Sequence, residues 1–525
     1  MNRSTLTLIG AVTALAAVTG VAAVAAPGED ASRSATAAAR KPVERSTLVC
    51  PRPTVSDVAE TDYTAFTPKG EDSGKGGKGS AALYPAEEDT KGAGEGDKEK
   101  KDEEAKDKEK DKDAGDEEGA EKDAKPFLPL DEPGKPVTES TERSDAPALF
   151  GSADGKFAPG WTVQQTTTVS AGAGRGLQGT SCGAADTSFW FPGASTSEDR
   201  QDYVHLTNPD STTAVVDLEM YGKDGREKSG AGEGITIPPR STVPVLLSTL
   251  ATEPTANVAL HVLARTGRVG AQVQAVDKEL GGDWLRSAAD ANASAVLPGI
   301  PADATSVRLV VFAPGENDAD LKVRLAGKSG QITPAGYETL HVRGGMTTAV
   351  DLKDLTKGEA GSLVLSPSEG GSDATPVVAA VRVTRGKGAD QETAFIPSTA
   401  PIDERATAAD NSTKGSTLSL TAPGKSAKVR VTSSAGSEGG SPKSETYTVK
   451  GGTTSSFAPP QPEGVKGTYA VTVERISGGP VYGSRMLDEK QDGVPAFTVQ
   501  TLPDDRGTVP VPQSGQDLSV LTDKR

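Results

Sequence analysis

Aromatic side chains make up only 4% of this 525-residue chain, and hydrophobic residues of every kind only 34%. Leu, Ile, Val and Phe are too sparse to pack the whole length, so a sizeable part is expected to stay unstructured. Cysteine occurs twice, at Cys50 and Cys182, which excludes a zinc ribbon or an iron–sulfur centre. Histidine occurs three times, and no HExxH helix, GxSxG elbow or Walker loop is present. Positive charge is in deficit: the formal net charge is -17, which repels phosphate backbones and argues against nucleic acid as a partner.

Long apolar runs are also missing, with one exception. Residues Leu6 to Ala26 read LTLIGAVTALAAVTGVAAVAA, uninterrupted by charge and preceded by Arg3. The run is long enough to span a bilayer, and Ala23-Val24-Ala25 offers a small-x-small cleavage site. Residues 1–26 are therefore expected to be a signal peptide or an uncleaved signal-anchor helix, and membrane contact is expected through this segment alone. Either way the rest of the chain is translocated. Two cysteines in an exported chain most simply form one disulfide, Cys50–Cys182, the alternative being two independent buried thiols.

At this length several domains are expected. Residues 27–45 read as a solvated spacer and 46–68 as a short β segment. Residues 69–145 lose nearly all apolar character, and Glu95 to Lys125 alternates Lys with Asp and Glu. Such a stretch cannot bury enough surface to offset chain entropy, so 69–145 is expected to be a disordered insertion. From 146 to 193 the texture becomes β-like again, and 505–525 reads as a tail.

Between these lies an internal repeat of about 105 residues. YVHLTNPDSTTAVVDLEMYG (203–222), VRLVVFAPGENDADLKVRLAG (307–327) and TLSLTAPGKSAKVRVTSSAG (417–436) each place two alternating strands around a turn proline, Pro209, Pro314 or Pro423. We read each as a hairpin with its tip in water. AVLPGIP (295–301), AFIPSTAP (394–401) and AFTVQTLPD (496–504) read as the end of each copy. Apolar residues recur with period two, the pattern of strands with one face to a core. The expectation is an all-β chain of tandem immunoglobulin-like β-sandwich modules over 194–301, 302–401 and 402–504. Short Pro-containing joints would string these modules into a rod.

Little chemistry is visible. His205, His261 and His341 each sit between inward-facing apolar neighbours, so all three are expected to point outward in different strands. No catalytic residue, metal ligand or cofactor site is assigned, and the chain is read as not an enzyme. Trp284, in GGDWLRSAADANASAVLPGIP (281–301), is a speculative contact for a sugar or partner; the alternative is a plug at an open sandwich end. YGKDGRE (221–227) reads as a hairpin. Asn292-Ala293-Ser294 and Asn411-Ser412-Thr413 match glycosylation sequons.

The exported N-terminus, the early LVCP, the SCG, the NP turn, and DWL followed by VLPGIP together resemble an actinobacterial family of secreted proteins known as domain of unknown function 5719. The resemblance covers about residues 46 to 504, excepting 69–145. It implies an envelope-associated β-rich protein and carries no catalytic residue with it. The expected role is an exported scaffold or binding protein at the outer face of the cytoplasmic membrane or beyond it, its partner an unidentified envelope protein or glycan. A polysaccharide-binding protein and an accessory subunit of a membrane enzyme of envelope assembly are the alternatives.

Overall fold

The computed structural model describes residues 39–70, 78–88, 125–227, 230–368, 374–491 and 494–511. The hydrophobic N-terminal run, most of the Glu/Lys stretch and most of the C-terminal tail lie outside these residues. The chain divides into two compact units. One comprises Met1–Pro42 and Thr508–Arg525; its described residues form an antiparallel ribbon of Ala39–Pro42 against Thr508–Val511. The other is Val43–Gly507.

The described residues contain strands and short 3-10 turns but no α-helix. Within Val43–Gly507 they build four successive β-sandwich-like sheet pairs, where the repeat in the sequence shows three. Repeat I runs from strand Arg45–Cys50 to Gly176–Ser181 and repeat II from Ser188–Ala194 to Gly281–Leu285. Repeat III runs from Ala295–Ile300 to Glu392–Pro397 and repeat IV from Arg405–Asn411 to Val494–Leu502. Leaving aside short ladder extensions, each repeat has eight strands in one arrangement. The first, sixth, third and fourth make one sheet, and the eighth, seventh, second and fifth make the other.

Four expectations are corrected. The strands flanking each turn proline do not pair as a hairpin. Arg200–Thr207 and Ala214–Gly222 belong to opposite sheets, and Val204, Leu206, Val216 and Leu218 meet in the core between them. Both strands alternate because both line one core, which period-two patterning cannot distinguish from a hairpin. YGKDGRE does form a hairpin, with Tyr221 opposite Arg226.

The modules are also out of phase with the sequence reading. Ser188–Ala194 opens repeat II and Ala295–Ile300 opens repeat III, each carrying a bulge at its Pro-Gly step. Gly193 and Gly299 there adopt positive φ, 98° and 85°, which a β-carbon would strain. AVLPGIP is thus a start, equivalent to SFWFPG, and GGDWL is the end of repeat II.

Residues 69–145 are not a single unstructured insertion. Ala81–Pro85, Leu128–Pro129 and Val137–Thr141 are strands of repeat I, and Leu83 and Leu128 are buried in its core. The Lys/Glu-rich stretch leaves and re-enters between the third and fourth strands. Glu87–Glu88, just before it, pairs in parallel with Ser241–Thr242 of repeat II.

The repeats do not form a rod. Their last strands contact one another in a closed cycle: repeat I with II, II with III, III with IV, and IV with I. Gly281–Leu285 and Glu392–Pro397 are buried at every position, so both faces of these strands are covered. Phe395 of repeat III enters the core of repeat II, and Phe497 and Val499 of repeat IV enter the core of repeat III. Burying a side chain of this size contributes about 1.5–3 kcal/mol, which an extended string of modules would forgo. The seam between repeats I and IV joins small apolar clusters, Leu177 with Leu487 and Ala496 and Phe66 with Ala409 and Ala470, to a set of buried polar bonds. Gln164 donates to Gln500 at 2.7 Å, Arg485 to Gln164 at 2.9 Å and Thr166 to Asp410 at 2.7 Å.

Candidate functional site

At the centre of the cycle stands Asp283, in the last strand of repeat II and fully buried. Its Oδ1 accepts from the Gly179 amide at 3.0 Å and the Thr498 hydroxyl at 3.1 Å, and its Oδ2 from the Phe395 amide at 3.4 Å. One carboxyl therefore ties the last strands of repeats I, IV and III to its own. Burial pushes its pKa well above the usual carboxylate range, against the pull of these donors.

The four repeats meet around a cleft of about 350 Å³. Residues after each last strand line it: Gly183 and Asp186 follow repeat I, Arg286 to Asp290 follow II, Ser398 to Ala400 follow III, and Pro503 to Arg506 follow IV. These segments are pinned by main-chain bonds. Ala288 donates to Trp190 at 2.8 Å and Ala289 to Ser398 at 2.8 Å. The Arg286 guanidinium donates to the Thr501 carbonyl at 2.9 Å. Burial, with the nearby Arg485 charge, lowers its pKa to about 10, although part of the side chain still reaches the surface.

Cys50 and Cys182 form a disulfide beside this cleft, with Cα atoms 4.3 Å apart. Val49 and Gly183 exchange both main-chain bonds next to it, at 2.8 and 3.0 Å, so the first strand of repeat I is fastened to the segment following its last.

Trp284 is not placed to stack on a partner. It is 1% exposed and its ring lies 5.3 Å from that of His205. His205 does not point into solvent either: it is 6% exposed. The alternation at Val204 and Leu206 holds, but the face it leaves outward is covered where repeat I docks. Burial, with the Arg52 charge adding to it, lowers the His205 pKa to about 4, so the ring is neutral at physiological pH.

His261 is half-buried, stacked on Trp190 at 3.9 Å and 3.3 Å from Glu219; burial lowers its pKa against the pull of Glu219. His341 alone is exposed, between Asp318 and Asp320 at 3.4 and 2.9 Å. No group of three or more His, Cys, Asp or Glu arranged for a metal occurs among the described residues. Asn411 is fully buried, and its amide donates to the Ala408 and Tyr469 carbonyls at 2.9 and 3.0 Å, so that sequon is closed to modification in the fold. Asn292 is exposed.

Asp283 and Arg286 went unnoticed in the sequence. The only signal was the string GGDWLRS, in which the tryptophan drew the eye from the acid beside it.

Fold and site define an all-β protein of β-sandwich-like sheet pairs, the first of them closed by a disulfide. The model of the Family of unknown function (DUF5719) matches residues 137–460. That is more than half of the chain, and the protein belongs to this family. The matched stretch opens at the fifth strand of repeat I and closes after the fifth strand of repeat IV, narrower than the span read from the sequence. No curated protein and no solved structure matches the chain.

Proposed function

We propose that the protein is an exported, non-catalytic scaffold or binding protein of an actinobacterial cell envelope. In this reading its N-terminal segment directs it outside the cytoplasmic membrane. The observation that carries the reading is the Cys50–Cys182 bond. Such bonds form and persist in oxidising compartments and are rare where thiols are kept reduced. The apolar run Leu6–Ala26 supports the same location.

The cycle of repeats supports a binding role. Every inter-repeat segment is held against the same cleft, which preorganises a surface at low entropic cost. We also propose that the sandwiches are immunoglobulin-like. The pairing of second with fifth strand and third with sixth supports this; the first strand, beside the sixth rather than the second, departs from the antibody order.

Fractionation with thiol alkylation tests the proposal. The chain is expected in the medium or membrane fraction, yielding a linked Cys50–Cys182 peptide under non-reducing conditions. Recovery from the cytosol with both thiols freely alkylated contradicts it.

A further inference from the structure

We infer that Ser188 is a nucleophile that accepts a fatty acyl group from an ester, with His261 as its base and Glu219 orienting that base. The inference goes beyond the scaffold reading and adds covalent capture of a ligand to it. The serine is consumed in the step, so the chain is an acceptor rather than a catalyst.

Three adjacent strands of repeat II bring these side chains together: Ser188–Ala194, Val258–Thr266 and Ala214–Gly222. His261 lies opposite Trp190 on one neighbour and opposite Glu219 on the other. Ser188 is two residues from Trp190 on the same strand, so its side chain leaves from the same face. That face is turned away from the core of repeat II, which takes Phe191, Val262 and Leu218 from the other. Ser188 is exposed at the rim of the cleft. Its Oγ is 2.9 Å from His261 Nε2, and His261 Nδ1 is 3.3 Å from Glu219 Oε2. Glu219 is fixed in turn: the Tyr221 hydroxyl donates to its Oε2 at 2.8 Å, and Arg226 lies 2.9 Å from its Oε1. Trp190 stacks within 3° of parallel on the imidazole, which limits its rotation. A hydroxyl bonded to a base, with the base bonded to a third group, is the arrangement that activates a serine.

The charge states suit the step. Burial lowers the His261 pKa, so the ring is neutral at physiological pH. Burial raises the Glu219 pKa, but the bonds from Tyr221 and His261 and the Arg226 charge outweigh it and leave it below the ordinary value. Glu219 is therefore ionised and takes the Nδ1 proton as acceptor, which leaves the Nε2 lone pair facing the Ser188 hydroxyl. A donor for the developing oxyanion is at hand. The Ala264 amide donates to the Thr187 carbonyl at 2.8 Å, so Ser188 is the next, non-hydrogen-bonded position of that ladder. Its own amide points off the edge of the sheet, on the side of the cleft, where it is available to a carbonyl oxygen as the hydroxyl adds.

The ground beside the serine is apolar. Leu263, directly opposite Ser188, is 37% exposed, and Trp190 is half-exposed. Covering them favours a fatty acyl group over a polar one. In the step, the Ser188 oxygen bonds to the acyl carbonyl carbon while its proton passes to His261 Nε2. Collapse of the tetrahedral adduct breaks the bond to the alcohol, which leaves with that proton. The products are an ester on Ser188 and a free alcohol, and nothing is oxidised or reduced.

The test treats the full exported protein with a fluorophosphonate probe and, separately, with p-nitrophenyl octanoate and p-nitrophenyl acetate, and maps adducts by peptide mass spectrometry. An adduct on Ser188 is expected, with octanoyl transfer faster than acetyl and p-nitrophenol release ending at one equivalent. His261→Phe, which keeps an aromatic ring against Trp190, should slow labelling about a hundredfold. Labelling of the wild type should fall in acid, as His261 takes a proton, and be level above neutrality. Glu219→Gln should slow labelling about tenfold. It also removes a charge that favours the imidazolium, so the fall in acid should move to lower pH; a glutamate with a structural role alone would leave it in place. No adduct on Ser188, or labelling undiminished in His261→Phe, overturns the inference and leaves the scaffold reading standing. Turnover beyond one equivalent overturns the acceptor and the non-catalytic reading together.

Discussion

Asp283→Ala is expected to lower the unfolding free energy of the Val43–Gly507 body by about 3 kcal/mol or more at acidic pH. The substitution strands the Gly179 amide, the Phe395 amide and the Thr498 hydroxyl in a buried place, at about 1–3 kcal/mol each. The loss should depend on pH in a definite sense. The Asp283 pKa is raised on folding, so the native state binds its proton more tightly than the unfolded chain does. The stability this contributes is complete below the unfolded value of about 3.9 and is lost as pH rises through the folded value. The gap between wild type and Asp283→Ala should therefore be widest in acid and narrow toward alkaline pH. Urea unfolding followed across that range measures it. A gap under about 1 kcal/mol at every pH would mean that the carboxyl does not tie the repeats together.

Cys50→Ser should cost about 4–5 kcal/mol in the chain-entropy account, because the bond closes a sequence separation of 132 residues. The consequence should be local first. Repeat I meets its neighbours through polar bonds and two small apolar clusters, whereas repeats II, III and IV insert Phe395, Phe497 and Val499 into one another's main cores. Limited proteolysis of the variant should open repeat I and leave a resistant fragment beginning near Ser188. Cleavage spread evenly over all four repeats would contradict this order of stability.

The sandwich strands were legible because their buried residues alternate. Val307, Leu309 and Val311, or Leu321, Val323 and Leu325, identify a core face without further help. The disulfide partners were legible because a chain read as exported and holding two cysteines has one simplest pairing for them. Repeat I was hidden by the charged stretch within it, although its second strand, DYTAFTP, carries the same Asp-Tyr and turn-proline pattern as DYVHLTNP in repeat II. The closed cycle was not legible either. Whether the second face of a strand meets water or another repeat depends on contacts between residues hundreds of positions apart, such as Gln164 with Gln500. His205 shows the cost of that blindness: its place in the strand was read correctly, and its environment was not. Asp283 shows it too, since a single acid between glycine and tryptophan resembles any turn.

Small-angle scattering on residues 43–507, with 89–124 replaced by a short linker, tests the closed arrangement of the four repeats most directly. A radius of gyration of about 22 Å is the value for a compact body of that length, and the closed cycle predicts a result near it. A radius of roughly twice that value, with the profile of an elongated string of sandwiches, would contradict the cycle and the shared cleft with it.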